Sequence, residues 1–526
     1  MSKLLSVAAA KPEWLVLAIG FIHRPILLWC LYRPLCALVA QAPFAHIIQL
    51  YPLKVYWYYF WAGLWQLQES PPVPHLIFGL TQLAGGWPLR TAIILCLFQG
   101  VISTLTAALL CAVIRKMTRS RAAALSLSLW FLFSTDLVVS EYAFFGQLFY
   151  ENLAMFILLA CCWQAIGLAL ADSPQPVGRA AMLGIFAALG ALTRSSLSYF
   201  SLVFGAAHAP IWRKRLMIAY FIPILLLQGG WAVKNALLFG RLSFETSSWG
   251  GMNAAKGIFF ANQGLYLCDE ISKAPPGRYP QWFQAASHQC LAPFTVATSV
   301  TLPPELAAQD NAMAARLDAH PGLNMPSVAA ESQAWRQAAT SFTLRHPVFF
   351  AQRFAYGYHA VWQRIADHAV QFPWNLLYVV PVDRPFPGLL SRGFGEKQRM
   401  RVSIKQPPPQ PDKKAWFGTI SLAPLDALAI LVLHGIFPIQ SAVDGWRRWR
   451  GKRGYVPVGT LPLAVAAAYG LFLFSIAEGG ENMRFRLTIE PVLIALTAGC
   501  LAALGRTISE IWQRYHAFKL GAPKMT

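Results

Sequence analysis

Long apolar runs that are almost free of charge recur along the whole of this 526-residue chain. About 17–25 such residues are enough for a helix to cross the hydrocarbon core of a bilayer. Only 13% of the residues are charged, whereas a soluble domain carries about 25%. The pattern therefore predicts an all-α polytopic membrane protein, and the first run is better explained as a retained span than as a cleaved signal peptide.

We predict about ten transmembrane helices from these runs. The fifth and sixth form a tight hairpin around the sequence LTRSSLSY, and the third is short. The approximate limits of the spans are residues 13–33, 91–114, 122–135, 148–170, 180–193, 197–211, 216–238, 417–438, 456–477 and 488–504.

Basic residues account for the net charge of +21. They cluster after the second, sixth, eighth and tenth spans, at residues 115–121, 213–215, 446–453 and 506–524. Cytoplasmic loops of membrane proteins are rich in Lys and Arg. With both termini in the cytoplasm, all four clusters face that side, and no nucleic-acid partner is needed to explain the charge.

This topology divides the chain into four parts. Residues 1–239 form an N-terminal membrane module that includes the first outer loop, 34–90. Residues 240–416 form a large extracytoplasmic loop domain of mixed secondary structure. Residues 417–505 form the C-terminal membrane helices, and residues 506–526 form a basic cytoplasmic tail. The loop domain contains Cys268 and Cys290, and in an oxidising outer compartment we expect them to pair. Aromatic residues at helical spacing in 331–365 predict helices at the membrane surface.

Acids are scarce on the predicted outer face. Glu69 is the sole acid of the first outer loop, and Asp136 and Glu141 lie in the second. Ionisable groups at the edge of a membrane are costly and usually functional, and a carboxylate there can act as a general base on a hydroxyl. Structural alternatives stay open: Glu69 can cap a turn before Pro-Pro, Asp136 can cap a helix or be solvated, and Glu141 can pair with Arg194.

Cations accompany these acids, and arginine in particular can hold a phosphate through two parallel hydrogen bonds. Arg484 and Arg486 precede the last span, where they can also act as interfacial anchors. Glu490, in the first turn of that span, is favoured by the helix dipole. His23 and Arg24, inside the first apolar run, either face a cavity or mark a break. The phosphate-binding candidates are Arg484, Arg486, Arg194 and Lys234.

Five stretches, in order, carry a family resemblance: YYFWAGLWQLQESPPVPHLIFGL, GIFAALGALTRSSLSYF, WAVKNALLFGRLSFETSSWGGMN, ATSFTLRHPVFFAQRFAYGYHAVW and ENMRFRLTIEPVLIAL. The chain resembles the GT-C glycosyltransferases, in particular bacterial relatives of the protein O-mannosyltransferases and aminoarabinose transferases, which are glycosyltransferase family 39-like. The likeness covers most of the membrane portion but not residues 254–325.

The resemblance implies transfer of a sugar from a polyprenyl-phosphate donor to an acceptor hydroxyl on the extracytoplasmic face of a bacterial inner membrane. It places the donor phosphate on Arg484 and Arg486, assisted by Arg194 or Lys234. Expected substrate contacts are Glu481, Asn482 and Asn235. Membrane lipids surround the protein, the acceptor is a protein, lipid or glycan, and we predict neither a cofactor nor a metal.

One departure concerns the catalytic base. Family members usually carry an Asp soon after the first span, whereas AQAPFAHIIQLYPLKVYWYYFW contains no acid. We therefore rank the candidate bases as Glu69, then Asp136, then Glu141. Two other functions stay open: a polytopic lipid or sugar transporter or flippase, which would favour internal repeats and broken helices, and a non-catalytic assembly protein with the same fold.

Overall fold

The structure, a computed structural model, describes most of the chain. The residues it describes are 11–41, 51–68, 70–86, 88–134, 137–138, 141, 149–170, 177–210, 212–247, 249–261, 263–291, 293, 296–319, 324–362, 423–449, 460–477 and 486–519. These residues form helices and connecting turns without a β-strand.

Helices of the N-terminal membrane module come first. A π-helical turn, Leu225–Gly229, joins the last two of them into one continuous helix. The helices are α1 (Pro12–Gln41), α2 (Leu53–Tyr58), α3 (Phe60–Gln66), α4 (Pro72–Gly85), α5 (Pro88–Thr118), α6 (Arg121–Leu132), α7 (Phe149–Ala169), α8 (Val177–Thr193), α9 (Phe200–His208), α10 (Lys214–Ile224) and α11 (Gly230–Phe239).

Two further groups of helices complete the chain. The predicted loop domain contains α12 (Gly250–Phe260), α13 (Gly264–Ser272), α14 (Gln281–Ser287), α15 (Val296–Ser299), α16 (Pro304–Leu317), α17 (Pro326–Arg345) and α18 (Pro347–Val361). The C-terminal group contains α19 (Ala423–Leu431), a π-helical turn (Val432–Ile436), α20 (Phe437–Trp449), α21 (Thr460–Ala477), a 3₁₀ turn (Leu487–Ile489) and α22 (Glu490–Lys519).

Five helical stretches of the described chain are long and apolar enough to cross a membrane: Leu89–Thr118, Tyr150–Ala169, Lys214–Phe239, Pro424–Asp444 and Leu487–Gln513. The all-α membrane class is therefore supported. Each of the ten predicted spans overlaps a helix, but α9 has nine residues and spans only about 14 Å. That is too short to cross the hydrocarbon core alone, so the count of ten stays a prediction.

Charged contacts mark one end of the bundle. Arg115, in the last turn of α5, donates to Glu13 in the first turn of α1, with Nε 2.8 Å from Oε1. The neighbouring Lys116 ammonium lies 5.0 Å from the ring centre of Trp163 on α7. The antiparallel arrangement of α1 and α5 thus brings basic residues of the predicted cytoplasmic cluster to the end where α1 begins.

Small residues let α8 approach α10 closely. Without side-chain bulk between them, two helices can bring their backbones into van der Waals contact. A Cβ atom added at Gly184 would lie only 2.1 Å from the carbonyl oxygen of Tyr220, whereas one added at Gly178 of the same helix would meet nothing within 4 Å. Gly184 is therefore required for the packing of α8 against α10.

Replacing Gly184 with Ala is expected to destabilise the protein by about 1–3 kcal/mol, because the added methyl group overpacks the interface against backbone that cannot move aside. Gly178→Ala is the matched control and is expected to change stability by less than about 0.5 kcal/mol. Chemical unfolding of the two purified variants in the same detergent measures both effects. Equal stabilities of the two variants would contradict the packing.

The loop domain has its own hydrophobic core. Trp335 of α17 and Phe283 of α14 are almost fully buried at its centre. The carboxylate of Glu331 is buried there too, and accepts hydrogen bonds from the backbone N–H of Ala297 (2.9 Å) and the indole Nε1 of Trp335 (3.1 Å). The described part of the domain is helical rather than mixed as predicted, because apolar residues recur at helical spacing in α17 and its neighbours.

A disulfide joins Cys268 of α13 to Cys290, with the two Cα atoms 5.4 Å apart. This is the pairing that the sequence predicts. The two cysteines are separated by 22 residues in the sequence, so the bond fixes α14 against α13. Closing a loop of this length restricts the unfolded chain and stabilises the domain.

Candidate functional site

Buried cations identify the polar centres of this protein. Five basic side chains are less than 9% exposed in the part of the chain that the structure describes: Arg24, Arg194, Lys234, Arg353 and Arg486. A charge removed from water is costly unless a counter-ion or several hydrogen bonds compensate it. The partners of each cation therefore indicate whether it has a structural role or is available to a ligand.

Arg24 forms a buried ion pair with Glu141. Its Nη2 atom lies 2.7 Å from the Glu141 Oε1 atom, and the two side chains are 4% and 0% exposed. The same nitrogen donates to the carbonyl oxygen of Leu132, at 2.8 Å. The helix α1 runs through His23 and Arg24 without a break. Glu141 is thus bound to Arg24, not to Arg194 as we had considered, and this geometry favours a packing role over a base.

Arg194 follows the last residue of α8 and is also paired. Its Nη1 atom donates to the Thr488 Oγ1 atom at 2.6 Å and lies 3.4 Å from the Glu151 Oε1 atom. The guanidinium carbon is 5.4 Å from the ring centre of Phe474. These contacts join the ends of α7, α8 and α21 to the 3₁₀ turn that precedes α22. Arg194 holds these helix ends together.

Arg486 contacts two carboxylates. Its Nη2 atom lies 3.1 Å from Asp426 Oδ2, and its Nε atom lies 3.0 Å from Glu490 Oε2. Its Nη1 atom donates to the Trp362 carbonyl oxygen at 3.3 Å. All three charged side chains are less than 10% exposed. A phosphate could reach this guanidinium only by displacing a carboxylate, so the geometry favours a structural role for Arg486.

Lys234 differs from these three arginines. Its ammonium donates to the carbonyl oxygens of Leu67, at 2.5 Å, and Trp65, at 3.3 Å, and lies 3.6 Å from the ring centre of Trp231. No carboxylate of the described chain lies within 4.0 Å of it. An ammonium group has three N–H donors, so the two carbonyls leave one donor available.

Asn235 follows Lys234 and is likewise buried, at 6% exposed. Its side-chain oxygen has no hydrogen-bond partner in the described chain. A buried amide oxygen without a partner is costly. Two consecutive residues of α11 therefore have unused hydrogen-bonding capacity, and Lys234 has it close to residues 65–67.

Asn324 of the loop domain holds the same segment of the first outer loop. Its Oδ1 atom accepts from the backbone N–H of Gln68 (2.9 Å), and its Nδ2 atom donates to the Gln66 carbonyl oxygen (3.1 Å) and to the Tyr51 hydroxyl. Lys54 adds a contact to the same domain, with its Nζ atom 2.5 Å from Asp318 Oδ2. We call residues 66–70 the acid segment, because Glu69 lies within it.

Sequence reasoning did not identify Asn324. A single asparagine in a loop with no repeated spacing gives no signal, and its three partners lie more than 250 positions away in the chain. It also did not identify the buried pair Tyr56–His75, in which the Tyr56 hydroxyl lies 2.7 Å from His75 Nδ1. Burial raises the pKa of the Tyr56 hydroxyl, so this group stays protonated.

Several predicted site residues lie outside the described residues: Glu69, Asp136, Glu481, Asn482 and Arg484. Glu69 nevertheless has described neighbours on both sides, since Gln68 and Ser70 are 4% and 8% exposed. No group of three or more His, Cys, Asp or Glu side chains in the described ranges is arranged to hold a metal ion.

Comparison of the chain with protein-family models, with curated proteins and with solved structures finds no match. The resemblance to the GT-C glycosyltransferases therefore rests on the quoted motifs alone. The polar centres described above supply independent physical grounds on which a function can be proposed.

Proposed function

We propose that this protein is a membrane glycosyltransferase that moves a sugar from a polyprenyl-phosphate donor to an acceptor hydroxyl on the extracytoplasmic face. The observation that carries the proposal is the position of Lys234. A buried ammonium without a carboxylate partner contacts the backbone two residues before Glu69. The proposal combines this cation, for the phosphate, with Glu69, two residues further along the chain from Leu67, as the carboxylate for the hydroxyl.

The proposed reaction uses these two groups in distinct roles. The oxygen of the acceptor hydroxyl attacks the anomeric carbon of the sugar, and the Glu69 carboxylate accepts the proton of that hydroxyl. The bond between that carbon and the phosphate oxygen breaks, and polyprenyl phosphate leaves with the electron pair. Lys234 stabilises the charge of the phosphate in a site from which water is largely excluded. The proton then passes from Glu69 to solvent.

Neighbouring contacts support this division of roles. The acid segment is bonded to Lys234 of α11 on one side and to Asn324 of the loop domain on the other. Two independent elements therefore hold residues 66–68, which directly precede Glu69 in the sequence. Restricting a general base in this manner contributes to catalysis because reacting atoms are held within contact distance.

Replacing Lys234 with Met is expected to weaken binding of a polyprenyl phosphate by about 10- to 100-fold, the value of a lost charge-assisted hydrogen bond. Binding is measured by titrating a short-chain polyprenyl phosphate into the purified protein in neutral-lipid nanodiscs. Lys273→Met, at an exposed lysine of α13 that pairs with Asp269, is the matched control. Binding that is unchanged in Lys234→Met with an intact fold would remove the phosphate role of Lys234.

Transfer itself is tested by release of polyprenyl phosphate, which is common to every sugar donor of this type. The protein in proteoliposomes is supplied with a panel of polyprenyl-phosphate sugars and an envelope extract as the source of acceptors. Donor cleavage that requires both the protein and the extract supports the proposal. Binding of every donor without cleavage favours the non-catalytic assembly protein.

One observation favours a transporter as the second candidate. Two of the apolar helical stretches, Lys214–Phe239 and Pro424–Asp444, contain a π-helical turn near their middle, at Leu225–Gly229 and Val432–Ile436, and such turns are frequent at functional sites. The side-chain amide of Gln228 in the first turn donates to the carbonyl oxygens of Ser198 and Phe244 and accepts from the Ser201 hydroxyl. Movement of an intact lipid-linked sugar across sealed vesicles, without cleavage, would favour this candidate.

A further inference from the structure

Arg353 of α18 is a second buried cation without a carboxylate partner. It is 7% exposed, and no carboxylate of the described chain lies within 4.0 Å of its guanidinium. Its two hydrogen bonds are long and go to neutral groups, the Ala254 carbonyl oxygen and the Thr343 hydroxyl, each at 3.4 Å. The Nε atom has no hydrogen-bond partner among the residues that the structure describes.

The surroundings of Arg353 place it where the loop domain meets the membrane helices. Its side chain lies between α12 and α17 of the domain. A Cβ atom added at Gly257 of α12 would lie 3.6 Å from the Arg353 Cδ atom and 3.1 Å from the carbonyl oxygen of Ile476, near the end of α21. Arg353 thus lies at the level where α21 ends and the last predicted outer loop begins.

Burying a guanidinium whose charge has no carboxylate partner in the described chain destabilises the folded protein. Arg345 and Arg336, on the neighbouring helix α17, each have a carboxylate partner, Glu270 and Glu245. Burial lowers the pKa of Arg353 to about 10, which leaves it charged at neutral pH. The missing partner must therefore come from outside the described chain, and an anion with several acceptor oxygens suits a planar group of five donors.

We propose that Arg353 binds the phosphate group of a membrane lipid at the outer surface, between α18, α12 and the end of α21. The partly exposed Phe350 ring, whose centre lies 5.3 Å from the Arg353 guanidinium carbon, supplies an apolar surface on the same helix. Such a surface is suited to the hydrocarbon part of a lipid. Because the proposed function places the donor phosphate at Lys234, the phosphate at Arg353 belongs to a second lipid, either a polyprenyl phosphate or an anionic phospholipid, and the site does not require that transfer occurs.

The test compares Arg353→Met with the wild type in nanodiscs of neutral phosphatidylcholine, by thermal unfolding with and without added lipid phosphate. Methionine has a similar length and no charge. Without added phosphate, Arg353→Met is expected to be at least as stable as the wild type, because a poorly compensated charge has been removed. Added lipid phosphate is tested in a Lys234→Met background, which removes the proposed donor site: a short-chain polyprenyl phosphate or phosphatidylglycerol stabilises this protein, and adding Arg353→Met raises the Kd about 10- to 100-fold.

Two controls make each outcome decisive. Arg353→Lys keeps the charge and is expected to keep most of the binding, and Arg278→Met, at an exposed arginine bonded to Ser341, is expected to behave as the wild type. Stabilisation by polyprenyl phosphate alone identifies a second site for polyprenyl phosphate, and equal stabilisation by phosphatidylglycerol identifies an anionic phospholipid site. Binding unchanged in Arg353→Met, or lower stability in neutral lipid, overturns the proposal, since Arg353 would then be a structural residue.

Sugar transfer measured on the same samples separates this inference from the proposed function. If Arg353→Met loses lipid-phosphate binding, the Arg353 site is supported even when neither the wild type nor any variant cleaves a donor. Conversely, donor cleavage by the wild type with unaltered binding in Arg353→Met would support the transferase and overturn the Arg353 site.

Discussion

Replacing Glu69 with Gln is expected to lower the rate of donor cleavage by about 10²–10⁴-fold, the contribution of a general base. Gln has nearly the same shape and cannot accept the hydroxyl proton. It leaves unchanged the backbone contacts of the acid segment to Asn324 and Lys234. Polyprenyl phosphate should therefore still bind, and the loss should be in kcat. The measurement is the initial rate of polyprenyl phosphate release in proteoliposomes.

Glu141→Gln and Asp136→Asn are the matched controls for this result. Glu141 is bonded to Arg24 inside the bundle, so Glu141→Gln is expected to lower stability while the folded fraction keeps its rate. An Asp136→Asn rate within a few-fold of the wild type is expected as well. A wild-type rate in Glu69→Gln, together with a large loss in Asp136→Asn, would move the base to Asp136.

Replacing Arg486 with Met is expected to destabilise the protein by about 3–5 kcal/mol, because Asp426 and Glu490 would lose the cation between them. The two carboxylates come from the first turns of α19 and α22, so their repulsion would separate those helix ends. Unfolding of the purified variant in detergent measures the loss. A variant that also carries Asp426→Asn and Glu490→Gln should regain part of the stability.

The alternative for Arg486 is the phosphate role that the family resemblance implies. In that case Arg486→Met would weaken binding of polyprenyl phosphate about 10- to 100-fold and leave stability within about 1 kcal/mol of the wild type. Such a result would contradict the structural role. The pair of measurements on this one variant therefore distinguishes two explanations of the same residue.

The helices of this protein were predictable because membrane spans are specified by composition. Runs such as 91–114 and 216–238 lie within observed helices, since any apolar run of that length must satisfy its backbone hydrogen bonds internally. The pairing of Cys268 with Cys290 was also predictable, because only these two cysteines belong to the loop domain. The lengths of the short helices were less predictable: α9 has nine residues, whereas the sequence predicts a span of fifteen residues, 197–211.

Partners of the charged residues were not predictable in the same way. Arg24 pairs with Glu141, and Arg486 with Asp426, across separations of 117 and 60 residues. Sequence order contains no information about such contacts unless a motif specifies them. Arg194 and Arg486 looked like phosphate ligands because they are cations near an outer surface, and only their carboxylate neighbours distinguish them from Lys234 and Arg353.

The most direct test of the account is an experimental structure of the protein in lipid with a short-chain polyprenyl phosphate bound. The account predicts the phosphate of the bound donor lipid beside the acid segment, within about 2.7–2.9 Å of the Lys234 ammonium, with the Glu69 carboxylate facing the same space. A phosphate bound near the basic residues 115–121, or midway through the bundle beside the π-helical turns, would contradict it and favour a transporter.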